Sequence, residues 1–234
     1  MSTKRRAWKG DWPKVQVALD LIRLEDALKI ASAAYRARVE WIEAGTPLIK
    51  SEGMRSIKKL KKALPDAVIV ADMKTLDAGA IEMGMAYEAG ADIVSISGLA
   101  HDSTIKDSAK VRDRYGRRLM VDLLITSSPV IRARELERLG ADIICLHTGV
   151  DEQKAAGSSL RLSPALRNLA RTLKIPLAAA GGINPRLAPK VAAAGVKVLI
   201  VGGWITGSKD PFKAAVELVS SLRGICVQKA EQLI

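Results

Sequence analysis

Leu119-Met120-Val121-Asp122 and Ile143-Ile144-Cys145-Leu146-His147 are two short apolar runs, each closing on an ionisable residue. Between them lies a stretch that opens at Ser128-Pro129 and ends at Gly140-Ala141-Asp142. The runs are apolar almost throughout instead of alternating, which is how strands covered on both faces of a parallel sheet read. The stretch between carries helix punctuation. A Ser oxygen can accept an orphan amide at the start, Pro is tolerated at the first helical position, and Gly takes a left-handed backbone at the end at little cost.

Outward from this segment the same unit recurs. Further apolar runs stand at Val15–Leu19, Val39–Ile42, Val68–Ala71, Ile93–Ile96, Leu177–Ala180 and Val198–Val201, which makes eight in all. Ser163-Pro164, Asn184-Pro185 and Asp210-Pro211 repeat the helix start, and Gly90-Ala91-Asp92 and Gly195-Val196-Lys197 repeat the helix end. Gly90, Gly140 and Gly195 are 50 and 55 residues apart. Two strand–helix units fill about that much chain, so the spacing reads as a quarter-barrel repeat.

Eight alternating units either close into a barrel or lie open as a doubly wound sheet. No Gly-x-Gly-x-x-Gly follows the first run, which removes the usual reason for the open sheet. The 234 residues match the roughly 200 to 250 of one such barrel. The expected fold is therefore α/β, a single (β/α)8 TIM barrel over residues 14–222, with extensions at 1–13 and 223–234.

The 48% apolar and 26% charged residues are ordinary for a globular chain that buries a sizeable core. A net charge of +12 admits nucleic acid, an anionic membrane or an anionic small substrate as partner. One Phe, three Tyr and four Trp do not suit a stacking surface for single-stranded nucleic acid. Lys58-Lys59-Leu60-Lys61-Lys62 reads as a solvated helix face and Lys4-Arg5-Arg6 as a terminal tail. Cys145 falls in the sixth strand, and with Cys226 it forms neither a disulfide framework nor a metal-binding spacing. No run reaches membrane-spanning length and no apolar signal core follows the charged N-terminus, so a cytoplasmic protein with reduced thiols is expected.

In such a barrel the C-terminal ends of all strands meet at one face, where active sites are built. Strand one ends in Asp20, strand two in Glu43, strand three in Asp72 with Lys74 two positions on, strand five in Asp122 and strand six in His147. Taken singly, Asp20 or Asp72 could cap a turn, Asp77 could cap the helix Ala78–Glu88, and His147 could be a hydrogen-bonded structural histidine. Taken jointly, four carboxylates in one mouth repel one another unless a cation offsets them. Lys74 brings one charge; a divalent ion brings two, and all-oxygen ligands favour Mg²⁺. Strand seven runs into Gly181-Gly182 and strand eight into Gly202-Gly203. Glycines there let backbone amides approach a phosphate, so a phosphorylated substrate is expected, although tight turns also use Gly.

Asp72-Met73-Lys74-Thr75-Leu76-Asp77 is an Asp-x-Lys-x-x-Asp motif. It resembles the signature of the orotidine-5′-monophosphate decarboxylase superfamily, and within it the 3-hexulose-6-phosphate synthase family. The resemblance extends through Val17-Ala18-Leu19-Asp20, Glu43-Ala44-Gly45-Thr46-Pro47-Leu48-Ile49, Val121-Asp122-Leu123, His147-Thr148-Gly149, Ala180-Gly181-Gly182-Ile183-Asn184 and Val201-Gly202-Gly203. It implies that Glu43 and Asp72 bind Mg²⁺ and that Lys74 and Asp77 border the reacting carbons. It implies a homodimer in which Asp77 serves the partner's site. Asp20, Asp122 and His147 would contact sugar hydroxyls or move protons, and Gly181, Gly182, Gly202 and Gly203 would hold the phosphate. The implied reaction is a reversible, Mg²⁺-dependent aldol condensation of formaldehyde with ribulose 5-phosphate through an enediolate, with His147 as the base. Trp204 departs from the pattern, standing where a small residue or a phosphate-clamping Arg is expected.

Two rival readings follow. A 3-keto-L-gulonate-6-phosphate decarboxylase would share the metal and the enediolate but should carry an Arg soon after the strand-six His; here the sequence is Thr148-Gly149-Val150-Asp151. A basic nucleic-acid-binding protein on an inert barrel would use the charge but not the motif order, and neither nucleic acid nor membrane is the expected partner.

Overall fold

A computed structural model of the chain describes residues 13–156, 160 and 162–223. Its strands are β1 (Lys14–Leu19), β2 (Trp41–Ala44), β3 (Val68–Thr75), β4 (Ile93–Ser97), β5 (Arg118–Asp122), β6 (Ile143–His147), β7 (Leu177–Ala180) and β8 (Val198–Val201). They pair in chain order, all parallel, and β1 closes on β8 with Val17 opposite Val201. The expected (β/α)8 barrel is present.

The helices follow the strands. After β1 comes α1 (Leu24–Arg36); after β2, α2 (Thr46–Glu52) and α3 (Met54–Ala63); after β3, α4 (Gly79–Glu88); after β4, α5 (Asp102–Tyr115); and after β5, α6 (Pro129–Leu139). After β6 come α7 (Val150–Ala156) and α8 (Pro164–Thr172), after β7 α9 (Ala188–Ala193), and after β8 the short α10 (Gly203–Thr206) and α11 (Pro211–Ser221). Gly90, Gly140 and Gly195 all have positive φ, between 103° and 106°, so the repeated glycine ends are backbone requirements.

Strand alternation divides the core into two shells. Val15, Val17 and Leu19 of β1 point outward and pack with Ala27, Ala31 and Ala34 of α1 in the larger cluster. Ala18, Trp41, Val70, Ile93, Met120, Ile143, Ala178 and Val198 point inward and fill the barrel. The inside is thus a packed floor, and the last inward side chain of each strand stands on it at the open end.

Several local expectations shift. β2 begins at Trp41 rather than Val39, because Val39 N donates to Ala34 O and Arg38 has φ 71°, which makes residues 38–40 a tight exit from α1. β3 runs on to Thr75. Ser163 and Asp210 cap α8 and α11 through Leu166 N and Lys213 N. Ser128 makes no side-chain cap. Asn184 instead closes a turn onto Arg186 N and Leu187 N, and α9 starts only at Ala188. Lys58, Lys59 and Lys62 are exposed around buried Leu60, as expected of a solvated face of α3, whereas Lys61 turns inward and donates to Asp92 Oδ2 and Ala67 O, both at 2.9 Å. Lys4-Arg5-Arg6 and Cys226 lie outside the described residues, as do both extensions apart from Pro13 and Arg223. Among the described residues no helix is long and apolar enough to cross a membrane.

Candidate active site

A cavity of about 790 Å³ opens at the C-terminal end of the barrel, lined by Asp20, Glu43, Asp72, Lys74, Asp122 and His147. Gly181, Gly182, Gly202, Gly203 and Trp204 line the same cavity. Every predicted site residue except Asp77 therefore meets at one mouth.

Asp72 is the most heavily held of the acids. Its Oδ1 accepts from Ser95 Oγ at 2.6 Å, and its Oδ2 accepts from Thr46 Oγ1 at 2.7 Å and Lys74 Nζ at 2.5 Å. Lys74 reaches it through an irregularity in β3. Asp72 pairs with Ser95 and Thr75 with Ile96, so Met73 and Lys74 bulge out of the ladder, and Lys74 has φ 48°. Bulges re-aim side chains, and a non-Gly residue with positive φ persists only where its surroundings fix it. The same ammonium lies 3.2 Å from Asp122 Oδ2. Burial works against its charge, but Asp72 and Asp122 more than offset this and raise its pKa above the ordinary lysine value.

Asp122 Oδ2 also lies 2.9 Å from His147 Nδ1, and Oδ1 accepts from Leu124 N at 2.9 Å. Burial would raise the Asp122 pKa, but the His147 contact and the Lys74 charge outweigh it and hold the carboxyl below its usual value. An ionised Asp122 at that distance accepts the Nδ1 proton, which leaves Nε2 as the ring's acceptor.

The other two acids behave oppositely. Burial, then the Asp72 and Asp20 charges, push Glu43 well above the usual glutamate value, against a hydrogen bond from Gln16 and the Lys74 charge. Asp20 is raised too, by burial and then Asp72. A dication would relieve both. Among the described residues no group of three or more His, Cys, Asp or Glu is arranged around a metal position. Mg²⁺ does not require one, because it takes one or two carboxylates and fills its remaining positions with water and substrate oxygens. Glu43 and Asp72 are buried oxygen ligands facing one cavity, Glu43 with no ion-pair partner among the described residues, and they fit that ion.

Gly181 has φ 128°, and a Cβ on it would stand 2.9 Å from the Thr148 carbonyl, so its glycine is required by packing. Gly203 differs. A Cβ there would meet nothing within 4 Å, so the open space above its backbone is available to a ligand. Trp204, 41% exposed, forms part of the wall next to it.

Asp77 is exposed and stands outside this cavity. It does not cap α4 either: Ala78 is the N-cap, with φ 53° and no side-chain bond. Thr46, Ser95 and Gln16 were not singled out from the sequence. For Ser95 a signal existed, since Ile93 and Ser95 share the inward parity of β4. Cys145 is buried, as its place in an apolar run implied, with its thiol pushed up by burial and then by the Asp122 charge.

Fold and mouth together define a (β/α)8-barrel enzyme. A family model described as Orotidine 5′-phosphate decarboxylase / HUMPS family matches residues 13–218, and the chain belongs to that family. It is 41% identical over 209 residues to a 3-hexulose-6-phosphate synthase of Mycobacterium gastri, covering 89% of this chain and 99% of the relative. A solved structure of a 3-hexulose-6-phosphate synthase superposes with TM-score 0.84 at 41% identity, covering 89% of this chain and 99% of the other. A 3-keto-L-gulonate-6-phosphate decarboxylase from Vibrio cholerae superposes with TM-score 0.80 at 31% identity, covering 91% and 98%.

Proposed function

We propose that this chain catalyses the Mg²⁺-dependent, reversible aldol condensation of formaldehyde with ribulose 5-phosphate to D-arabino-hex-3-ulose 6-phosphate. One observation carries the reading: six ionisable side chains from five strands share a cavity with the glycines after β7 and β8. The higher identity to a synthase than to a decarboxylase supports the same choice.

Glu43 and Asp72 would hold the magnesium ion, which supplies Lewis-acid chemistry at the substrate oxygens beside the reacting carbon. His147 Nε2 takes the proton from C1, and Asp122 stabilises the imidazolium that results. The carbanion-like C1 forms its bond to the formaldehyde carbon as the C=O π bond opens, and the resulting alkoxide takes the proton back from the His147 imidazolium, which regenerates the base. Lys74 opposes the negative charge that grows on the substrate oxygen next to C1. Asp20, at the end of β1 in the same mouth, contacts a sugar hydroxyl. Backbone at Gly181, Gly182, Gly202 and Gly203 receives the phosphate. The reverse sequence breaks the new bond and releases formaldehyde.

Asp77 enters through a second copy of the chain. Its exposed position beside exposed Leu76, Ile81 and Met85 suits an isologous homodimer in which each Asp77 completes the other's mouth. A cytoplasmic setting suits a reduced Cys145 and a phosphosugar substrate.

The decarboxylase reading has one observation on its side, the close superposition with the Vibrio cholerae structure. Against it, no Arg lines the cavity among the described residues; Gly149, Val150 and Gln153 stand there after β6. Assaying the purified protein with ribulose 5-phosphate plus formaldehyde, and in parallel with 3-keto-L-gulonate 6-phosphate, separates the two. Condensation should dominate; decarboxylation as the faster reaction would replace the proposal with its rival.

A further inference from the structure

The inside of the barrel below the acidic mouth is apolar: Trp41, Val70, Ile93, Met120 and Ile143 pack there. Gln16 stands among these interior positions. It belongs to the inward parity of β1, two residues before Ala18 and four before Asp20, and is fully buried. Its Nε2 donates to Glu43 Oε2 at 2.6 Å, whereas its Oε1 has no hydrogen-bond partner. A buried amide with half its bonding capacity unmet is worse for folding than an aliphatic side chain of the same size. Its presence is therefore better explained by what its donor does.

We infer that Gln16 is a positioning residue that holds Glu43 in the orientation needed to bind a divalent cation. The inference rests on the magnesium reading of Glu43 and Asp72. Glu43 has no other hydrogen-bond partner among the described residues, in contrast to Asp72, which has Ser95, Thr46 and Lys74. Without Gln16 the Glu43 side chain would keep its rotamer freedom in the cavity wall. One fixed bond to Oε2 sets the plane of the carboxylate and leaves Oε1 for a metal. An amide suits the task better than Lys or Arg would. It donates a hydrogen bond without adding a positive charge that would repel a dication. Partners that orient a ligand in this way typically account for 10- to 100-fold in metal affinity.

The test is Mg²⁺ titration by calorimetry of the full chain, comparing wild type with Gln16→Met, which keeps the volume and loses the donor. Thermal melting without metal runs alongside, and Gln16→Leu serves as a second variant should Met not fold. The expected result is Mg²⁺ affinity weakened roughly 10- to 100-fold at an apo melting temperature equal to or above that of wild type. Activity should be regained as Mg²⁺ is raised. Unchanged Mg²⁺ affinity in a folded variant would overturn the role of Gln16 alone. A wild-type protein that takes up no Mg²⁺ would overturn the metal reading and this inference with it.

Discussion

His147 Nδ1 lies 2.9 Å from Asp122 Oδ2, at the ends of β6 and β5. Asp122 is buried, and the His147 contact and the Lys74 charge hold its carboxyl below the usual value, so it fixes the ring tautomer and leaves Nε2 as the acceptor for the proposed base step. His147→Ala should lower kcat by about 10²-fold or more with the melting temperature little changed. Asp122→Asn should lower it as well, because an amide can donate to Nδ1 and favour the wrong tautomer. C1 proton exchange in deuterated buffer follows the step directly. Exchange at the wild-type rate in His147→Ala would remove His147 as the base.

Asp77 offers a test that depends on geometry alone. Asp77→Ala and His147→Ala should each be nearly inactive. Mixed and allowed to exchange subunits, they should recover about a quarter of wild-type activity, because half of the dimers are mixed and each has one intact mouth. No recovery from a mixture shown by mass to contain mixed dimers would place Asp77 outside the partner's site.

Trp204 lines the mouth beside Gly202 and Gly203, the proposed phosphate seat. Trp204→Arg should lower the KM for ribulose 5-phosphate several-fold, since a bidentate charged contact adds binding, and should leave kcat within about twofold. Steady-state kinetics reads both. An unchanged KM would separate Trp204 from the phosphate seat.

Gly45 lies where the chain leaves β2, against the end of β1. A Cβ on it would overlap Asp20 Oδ1 and stand 2.8 Å from the Leu19 carbonyl. Gly45→Ala should therefore destabilise the fold by about 1–3 kcal/mol and displace Asp20, reducing turnover as well. Denaturant unfolding and kinetics on the same sample check both effects.

The barrel was legible because both-face burial makes each strand an unbroken apolar run, and because glycines at the helix ends must take positive φ, as Gly90, Gly140 and Gly195 do. The mouth was legible because five of the apolar runs are followed at once by an ionisable residue: Asp20, Glu43, Asp72, Asp122 and His147. What stayed hidden depends on relations between strands. Nothing in a Lys reveals the positive φ that turns Lys74 back toward Asp72. Ser95 and Thr46 look like neutral filler until Asp72 is placed between them. Gln16 reads as one polar residue in an apolar run until β2 brings Glu43 beside it. Val39 misled for the opposite reason: an apolar side chain in a turn resembles the start of a strand.

Glu43 and Asp72 are proposed to serve one magnesium ion at a phosphosugar mouth. The most direct measurement is condensation of ribulose 5-phosphate with formaldehyde before EDTA, after EDTA, and after adding Mg²⁺ back. Activity should vanish with EDTA and return with Mg²⁺ in wild type, and should not return in Asp72→Ala. Full activity in EDTA, or Mg²⁺-stimulated activity in Asp72→Ala, would contradict it.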